Sequence, residues 1–220
     1  MESLKEFFIK AGFDLGFRLT ENQIEKFLIY LLELKKWNKK INLTAIKDDK
    51  LIVTKLFLES LTFTYGFMPD ETKNVLDIGS GAGFPGIPIK MIHPEISFTL
   101  LDSSNKKVAF LKHIGRQLNL SNIECIAERA ENIAEMEKYK GGYDVVLSKG
   151  VANIDKLLKV SLPLLKSKGL FITQKGDDLE IELKGAEEEM KRDNWIVKNI
   201  MEINNPIFGR KFRLIIIQRT

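Results

Sequence analysis

Between Val75 and Gly86 the chain reads Val-Leu-Asp-Ile-Gly-Ser-Gly-Ala-Gly-Phe-Pro-Gly. An apolar run ends on an acid, Asp77, and is followed by Gly79, Gly81 and Gly83 and then Pro85. This order suits a parallel strand that hands over to a helix beneath a bound nucleotide-like ligand. The spaced glycines let the main chain pass close to a ligand, where a Cβ would clash. Pro85 suits the first turn of the helix, where its missing N–H costs nothing. Farther along, Asp102, Ala130-Glu131, Ser148-Lys149-Gly150 and Lys175 each follow an apolar run that reads as a strand. Residues at such strand ends lie on the carboxyl edge, where open parallel sheets bind their ligands.

Two ligand classes compete for the glycine loop. Gly81-x-Gly83-x-x-Gly86 matches the dinucleotide fingerprint, and Asp102 stands near the spacing of a ribose-binding acid. S-adenosylmethionine is favoured by Asp77 at the strand end, where it can face an ammonium or a bridging water. It is also favoured by a glycine set that begins at Gly79 and by the closing pair of strands. Asp102 can accept hydrogen bonds from both ribose hydroxyls or cap the next helix. Ala130-Glu131 falls where such sheets cover an adenine.

The elements that must position these residues follow from periodicity. The first seventy residues read as helical. Thr20 to Gln23 fits a capping box, and Ile24, Phe27, Leu28, Leu31 and Leu32 trace an amphipathic stripe. Trp37 to Thr44 breaks the period and reads as a loop, and a second helix is expected over 49–65. From Lys73 the pattern alternates: strands over 74–78, 96–101, 123–126, 143–147 and 169–173, with helices over 85–92, 104–120, 155–165 and 178–191. Two closing strands, 195–203 and 212–218, flank the turn Asn204 to Gly209. Such a pair cannot be a right-handed crossover, so one member must run antiparallel. The expected fold is α/β and Rossmann-like: a seven-stranded, mostly parallel sheet with an antiparallel final strand. The expected organisation is an N-terminal helical extension, residues 1–72, packed on a ligand-binding domain, residues 73–220.

With 220 residues and 44% apolar content, the chain can bury a sizeable core. The net charge of +4 is uneven: Lys35 to Lys55 holds seven lysines and two acids, a local +5. Lys35, Lys36, Lys39 and Lys40 are therefore candidates for contacts to an RNA backbone, with Arg210, Lys211 and Arg213 as additions. A single cysteine, Cys125, excludes an internal disulfide framework and a cysteine-rich zinc site, and no metal site is expected. No apolar run reaches membrane-spanning length and no signal peptide is recognisable, which points to a cytoplasmic protein. No apolar stripe is left without a partner, so a monomer is expected, with no membrane and no DNA as partner.

Several of these segments together resemble the bacterial small-subunit (16S) rRNA guanine-N7 methyltransferases, also called glucose-inhibited division protein B. The resemblance runs from Trp37-Asn38 and Ile41-Asn42-Leu43-Thr44 through Asp77 to Gly86, Leu101-Asp102-Ser103 and Asn105 to Leu111. Arg129-Ala130-Glu131, Ser148 to Ala152 and Lys175-Gly176 complete it. It implies contacts to S-adenosylmethionine at Gly79, Phe84, Asp102, Ser103, Ala130 and Glu131, and a role at Lys149. Asp77, Gly81 and Gly83 join the cofactor set from the loop itself. The family usually carries Ser-Arg-Ala after the fourth strand, where this chain has Ser148-Lys149-Gly150. Lysine keeps the charge but lacks the planar fork. Where the family commonly shows a histidine and then Asp-Ser-Leu, this chain has Leu56 and Glu59-Ser60-Leu61.

The implied chemistry agrees with what is missing. Guanine N7 offers a lone pair with no proton to remove, so transfer needs alignment and a dry site more than an acid–base pair. Methylation at cytosine C5 would need a nucleophilic cysteine, and Cys125 reads as core. Asn205-Pro206-Ile207-Phe208 mimics an amine-methylation motif but falls between the last two strands and reads as a turn. Lys149 and Lys175 are the candidates for positioning the acceptor. Three other readings stay open: a small-molecule methyltransferase, a nicotinamide-dependent oxidoreductase and a non-catalytic rRNA-binding or assembly protein.

Overall fold

The structure, a computed structural model, describes residues 3–220. In chain order the helices are α1 (Leu4–Asp14), α2 (Glu21–Asn38), α3 (Asp49–Ile52), α4 (Glu59–Leu61), α5 (Gly86–Ile92), α6 (Asn105–Gln117), α7 (Ala130–Glu135), α8 (Ile154–Ser161), α9 (Leu179–Gly185) and α10 (Glu187–Arg192). The strands are β1 (Asn74–Ile78), β2 (Ser97–Asp102), β3 (Ile123–Ala127), β4 (Tyr143–Lys149), β5 (Leu165–Lys175), β6 (Trp195–Ile203) and β7 (Phe212–Arg219). They form one sheet in the order β3-β2-β1-β4-β5-β7-β6. β7 alone runs against its neighbours, paired antiparallel with both β5 and β6. The chain order reverses between β1 and β4, so the loops after β1, β2, β3 and β4 meet at one edge.

Two apolar clusters fill the two faces of this sheet. The larger joins α1, α2 and 52–67 to α5, α6 and one face of the strands, through Phe8, Phe27, Tyr30, Phe57, Phe84 and Phe110. The smaller packs α7, α8, α9 and Ala186 against the other face. The N-terminal helices therefore share a core with the sheet.

Local chemistry explains most boundaries. Thr20 and Gln23 form the expected capping box, with Gln23 N–H donating to Thr20 Oγ1 at 3.2 Å and Thr20 N–H to Gln23 Oε1 at 2.9 Å. The buried face of α2 is Ile24, Phe27, Tyr30, Leu31 and Leu34, whereas Leu32 is 64% exposed. The face is turned toward Tyr30 because that side chain finds a buried partner for its hydroxyl. Trp37 and Asn38 continue α2 instead of opening a loop. The helix expected over 49–65 is one helical run of mixed pitch: α3, a π-helical stretch Val53–Leu58, α4 and a 3-10 stretch Thr62–Gly66. β5 starts at Leu165 because Pro163 cannot continue α8. The acid-rich helix divides at Gly185-Ala186 into α9 and α10. Pro85 precedes α5 and takes the N-cap position.

Asn38 accounts for part of the loop that follows it. Its Oδ1 accepts from Leu43 N–H at 2.7 Å and Thr44 N–H at 3.0 Å, and its Nδ2 donates to the Thr44 carbonyl at 2.8 Å. This clasp holds Lys39 and Lys40 on a closed turn. Replacing Asn38 with Ala removes all three bonds and is expected to cost about 2 kcal/mol, read by urea unfolding. A loss below about 0.5 kcal/mol would show that water replaces the clasp without penalty.

Candidate functional site

β1 ends on Asp77, which is fully buried. Its Oδ2 accepts from Gly86 N–H at 3.0 Å, tying the strand end to the start of α5, while its Oδ1 has no hydrogen-bond partner. Burial is the largest influence on this carboxyl and pushes its pKa up to about 7, against the Gly86 N–H, which favours the ionised form. Gly86 is required by packing: a Cβ there would sit 2.5 Å from Leu100 Cδ2 and 2.8 Å from Asp77 Oδ2. Gly79 has φ +71°, and a Cβ would fall 2.4 Å from Val151 Cγ2. The glycines thus make room for protein, the crossing of α5 over the sheet and the loop after β4.

Asp102, at the end of β2, braces the same loop. Its Oδ2 accepts from Gly81 N–H at 2.9 Å and its Oδ1 from Ser104 N–H at 2.9 Å, with Lys107 Nζ 3.7 Å from Oδ2. The N-cap of α6 is Ser104, whose own N–H Asp102 holds, and a carboxylate has about four acceptor positions, of which these N–H groups occupy two. The loop is backed from the N-terminal side by Tyr30, whose hydroxyl donates to the Ala82 carbonyl. Its ring stacks on Phe84 and Phe57 at centroid distances of 5.5 and 5.1 Å.

Gly79, Asp102, Ser103, Ala130 and Glu131 line one cavity of about 220 Å³, with Ile78, Leu101, Glu128, Arg129, Val151, Ala152, Lys156, Leu157 and Val160. Gly81 and Gly83 shape the loop behind it, and Phe84 is buried in the aromatic stack. Sequence reasoning missed Tyr30, Lys156, Leu157 and Val160. α8 buries Leu157 on its apolar stripe with Ile154 and Leu158, and that stripe was the available signal for Leu157. Asp77 lies behind the cavity lining, next to Ile78 and Gly79, with its Oδ1 unpartnered. The residues present fit S-adenosylmethionine: a strand-end carboxylate for ribose hydroxyls, an apolar-walled cavity with main-chain groups at Ala130, and an unpartnered buried acceptor on Asp77.

The basic candidates are placed differently from expectation. Lys149, only 16% exposed, lies 3.0 Å from Glu59 Oε1 and donates to the Lys55 carbonyl at 3.0 Å. Burial pulls its pKa below the usual lysine value, against the attraction of Glu59. It does not line the cavity. Lys175 donates to the Ala152 carbonyl at 2.8 Å and pairs with Glu182 at 2.8 Å, so it braces the loop after β4. Arg210 holds both oxygens of Glu59, at 3.0 and 3.2 Å. Arg213 pairs with Glu180, Lys211 with Glu202 at 3.6 Å, Lys35 with Asp49 and Lys36 with Glu33 at 3.3 Å. Lys39 and Lys40 are exposed, and neither forms an ion pair among the described residues.

Cys125, His113 and Asn205 all stand in structural settings. Burial pushes the Cys125 thiol up to about 11, which keeps it protonated at neutral pH. His113 Nε2 lies 2.5 Å from Glu33 Oε2 and its ring packs on Trp37 at 5.0 Å, a structural contact between α6 and α2. Asn205 caps a 3-10 turn, accepting from Ile207 N–H at 3.0 Å. Among the described residues no cluster of metal-ligating side chains occurs, and no helix is long and apolar enough to cross a membrane.

Residues 23–211 match the family described as rRNA small subunit methyltransferase G. The chain is 41% identical over 210 residues to Ribosomal RNA small subunit methyltransferase G of Desulforamulus reducens, covering 96% of this chain and 88% of the relative. It is 38% identical to the protein of the same name from Clostridium kluyveri, covering 94% and 86%. Among solved structures, the [4+2]-cyclase SpnF superposes with a TM-score of 0.61 at 12% identity, covering 90% of this chain and 96% of that one. That last likeness carries the fold alone, since one fold hosts many reactions.

The raised pKa of Asp77 has a definite sign. The unfolded chain loses this proton near pH 4 and the folded chain near 7, so folding grows less favourable as pH rises between those values. The stability of Asp77→Asn relative to the native chain should therefore rise from pH 4 to 7 and then level off. The gain is on the order of 3 kcal/mol. Urea unfolding across that range is the check, and a pH-independent difference would refute the assignment.

Proposed function

The chain belongs to the rRNA small subunit methyltransferase G family, and from that premise we propose that it methylates N7 of a guanine in 16S rRNA, using S-adenosylmethionine. The observation that carries the reading is the pairing of Asp77 and Asp102 around one glycine loop. A buried, unpartnered carboxylate oxygen lies on one side and a strand-end carboxylate with free acceptor positions on the other. When bound, the cofactor supplies a methyl group on a sulfonium, a cationic donor that needs no activating base.

The chain's own residues bind, orient and exclude water. Asp77 Oδ1 would accept from the cofactor's ammonium, directly or through a water, and Asp102 would accept from its ribose hydroxyls. Gly79, Gly81, Gly83 and Phe84 set the course of the loop along the methionine part. Ser103, Ala130 and Glu131 close over the adenosine part, with Val151, Ala152 and Leu157 as an apolar wall. Because N7 carries no proton, alignment and dehydration suffice for transfer. This agrees with a site in which the nearby lysines, Lys149 and Lys175, are held by Glu59 and Glu182 and not poised as bases.

The acceptor lies between the carboxyl edge of the sheet and the N-terminal helices, and Lys39 and Lys40 meet RNA phosphate from the Asn38 turn. Lys35, Lys36, Lys211 and Arg213 already have acidic partners, which leaves them less available to phosphate than Lys39 and Lys40. The same reading makes the protein a cytoplasmic monomer whose partner is the small ribosomal subunit, with no DNA or membrane partner. An oxidoreductase reading is not favoured, because the family that residues 23–211 match is a methyltransferase family.

The test is transfer of label from S-adenosylmethionine to unmethylated small subunits and to free 16S rRNA, followed by nucleoside analysis. The expected product is 7-methylguanosine; cofactor binding without any labelled nucleoside would overturn the reading. Asp102→Ala should weaken cofactor binding at least tenfold by calorimetry, because it removes the ribose acceptor and a brace of the loop. Unchanged affinity would place the ribose elsewhere. Binding should also release a proton below pH 7, where Asp77 is protonated in the free protein.

A further inference from the structure

Glu59 is 1% exposed and sits where the π-helical stretch gives way to α4. Three elements from the carboxyl edge converge on it. Lys149 from the end of β4 lies 3.0 Å from Oε1, Gln174 Nε2 from the end of β5 donates to Oε1 at 2.9 Å, and Arg210 from the turn before β7 donates to both oxygens. Two cations thus share one carboxylate, leaving an excess of one positive charge. The two cations are not equivalent. Lys149 is 16% exposed and is held by Glu59 and the Lys55 carbonyl. Arg210 is 47% exposed and engages Glu59 through Nη2 alone, while its Nε and Nη1 have no partner among the described residues. Its guanidinium also lies over the Phe212 ring, 5.5 Å from the centroid, which limits the orientation of the plane.

We propose that Arg210, anchored to buried Glu59, is the residue that grips an RNA backbone phosphate beside the acceptor base, and that Lys149 is an internal counter-charge that never touches the RNA. This rests on the RNA-methyltransferase reading and adds the residue that holds the acceptor. The turn carrying Arg210 is placed by the antiparallel pairing of β7 with β5, where Arg213 stands opposite Lys175. It therefore lies at the carboxyl edge, beside the loop after β4 that walls the cavity. A guanidinium offers two parallel N–H bonds that suit phosphate. The same fork could read the O6/N7 edge of guanine, but N7 must stay open to accept the methyl group, which leaves phosphate. Glu59 is then a positioning residue: it fixes one end of the guanidinium so that the other end faces outward.

Arg210→Lys and Arg210→Gln, in the full chain, separate this role from a structural one. One ammonium cannot hold Glu59 and reach a phosphate together, so both variants should bind unmethylated small-subunit rRNA about tenfold more weakly by filter binding. The dependence of log affinity on log salt should flatten by about 0.7–0.9 in Arg210→Gln, one phosphate contact fewer. Calorimetric affinity for S-adenosylmethionine should stay within twofold of the native chain for both. Affinity and salt slope unchanged in both variants would overturn the proposal. So would a loss of cofactor affinity in step with RNA affinity, which would make Arg210 a prop of the fold. RNA binding is read without methyl transfer, so a native chain that binds rRNA through Arg210 but transfers no methyl group would refute the enzymatic reading alone.

Discussion

The bond from Gly86 N–H to Asp77 Oδ2 governs the geometry of the site. It lets α5 start directly against the end of β1, at a separation that no side chain at position 86 would permit. With that crossing set, the glycine loop must turn back over the strand end, and Gly79 and Ser80 donate their N–H groups to the Leu101 carbonyl at 2.8 and 2.9 Å. Asp102 then receives Gly81 N–H, and the loop is held along its length from the end of β2. The constraint has an electrostatic consequence. A carboxyl buried for packing keeps one oxygen without a partner, a costly arrangement in a folded protein unless a ligand supplies the missing donor.

The N-terminal helices are part of this construction. Tyr30 reaches from α2 to the Ala82 carbonyl, and the rings of Phe8, Phe27, Phe57, Phe84 and Phe110 fill the space between α1, α2, the 49–66 run and the sheet. Asn38 closes the turn that follows α2, and Trp37 packs on Phe110 and His113 of α6. A segment that reads as an appendage thus supplies both the support behind the cofactor loop and the surface that carries the exposed lysines. The π-helical stretch serves the same end, since it delivers Glu59 to the meeting point of β4, β5 and the β6–β7 turn.

Charge is divided between these two sides. α9 and α10 carry acids that pair with Lys175, Arg213 and Lys159, so basic residues near them are neutralised locally. Across the sheet, Lys39 and Lys40 remain unpaired, and the Glu59 cluster keeps one positive charge in excess. The field favours an anionic partner on the side of the N-terminal helices.

The strand–helix alternation, the antiparallel final pair and the cofactor loop were legible in the sequence because each is written in local chemistry. Apolar runs of five or so residues, glycines that tolerate positive φ, and acids at strand ends have few other uses in that order. The cavity residues Gly79, Asp102, Ala130 and Glu131 were legible for the same reason: they sit at fixed offsets from strands whose ends the fold aligns, whereas Ser103 came only with the family resemblance. Tyr30 was hidden within an amphipathic stripe, since periodicity reports which face is buried but not which buried hydroxyl meets a carbonyl 52 positions away. The roles of Lys149, Lys175 and Arg210 were beyond sequence reasoning too, because a lysine or arginine reads the same whether or not an acid lies beside it. Glu59, Glu182 and the open nitrogens of Arg210 come together only when distant segments pack. Burial then decides which cation becomes an internal counter-charge and which still faces outward.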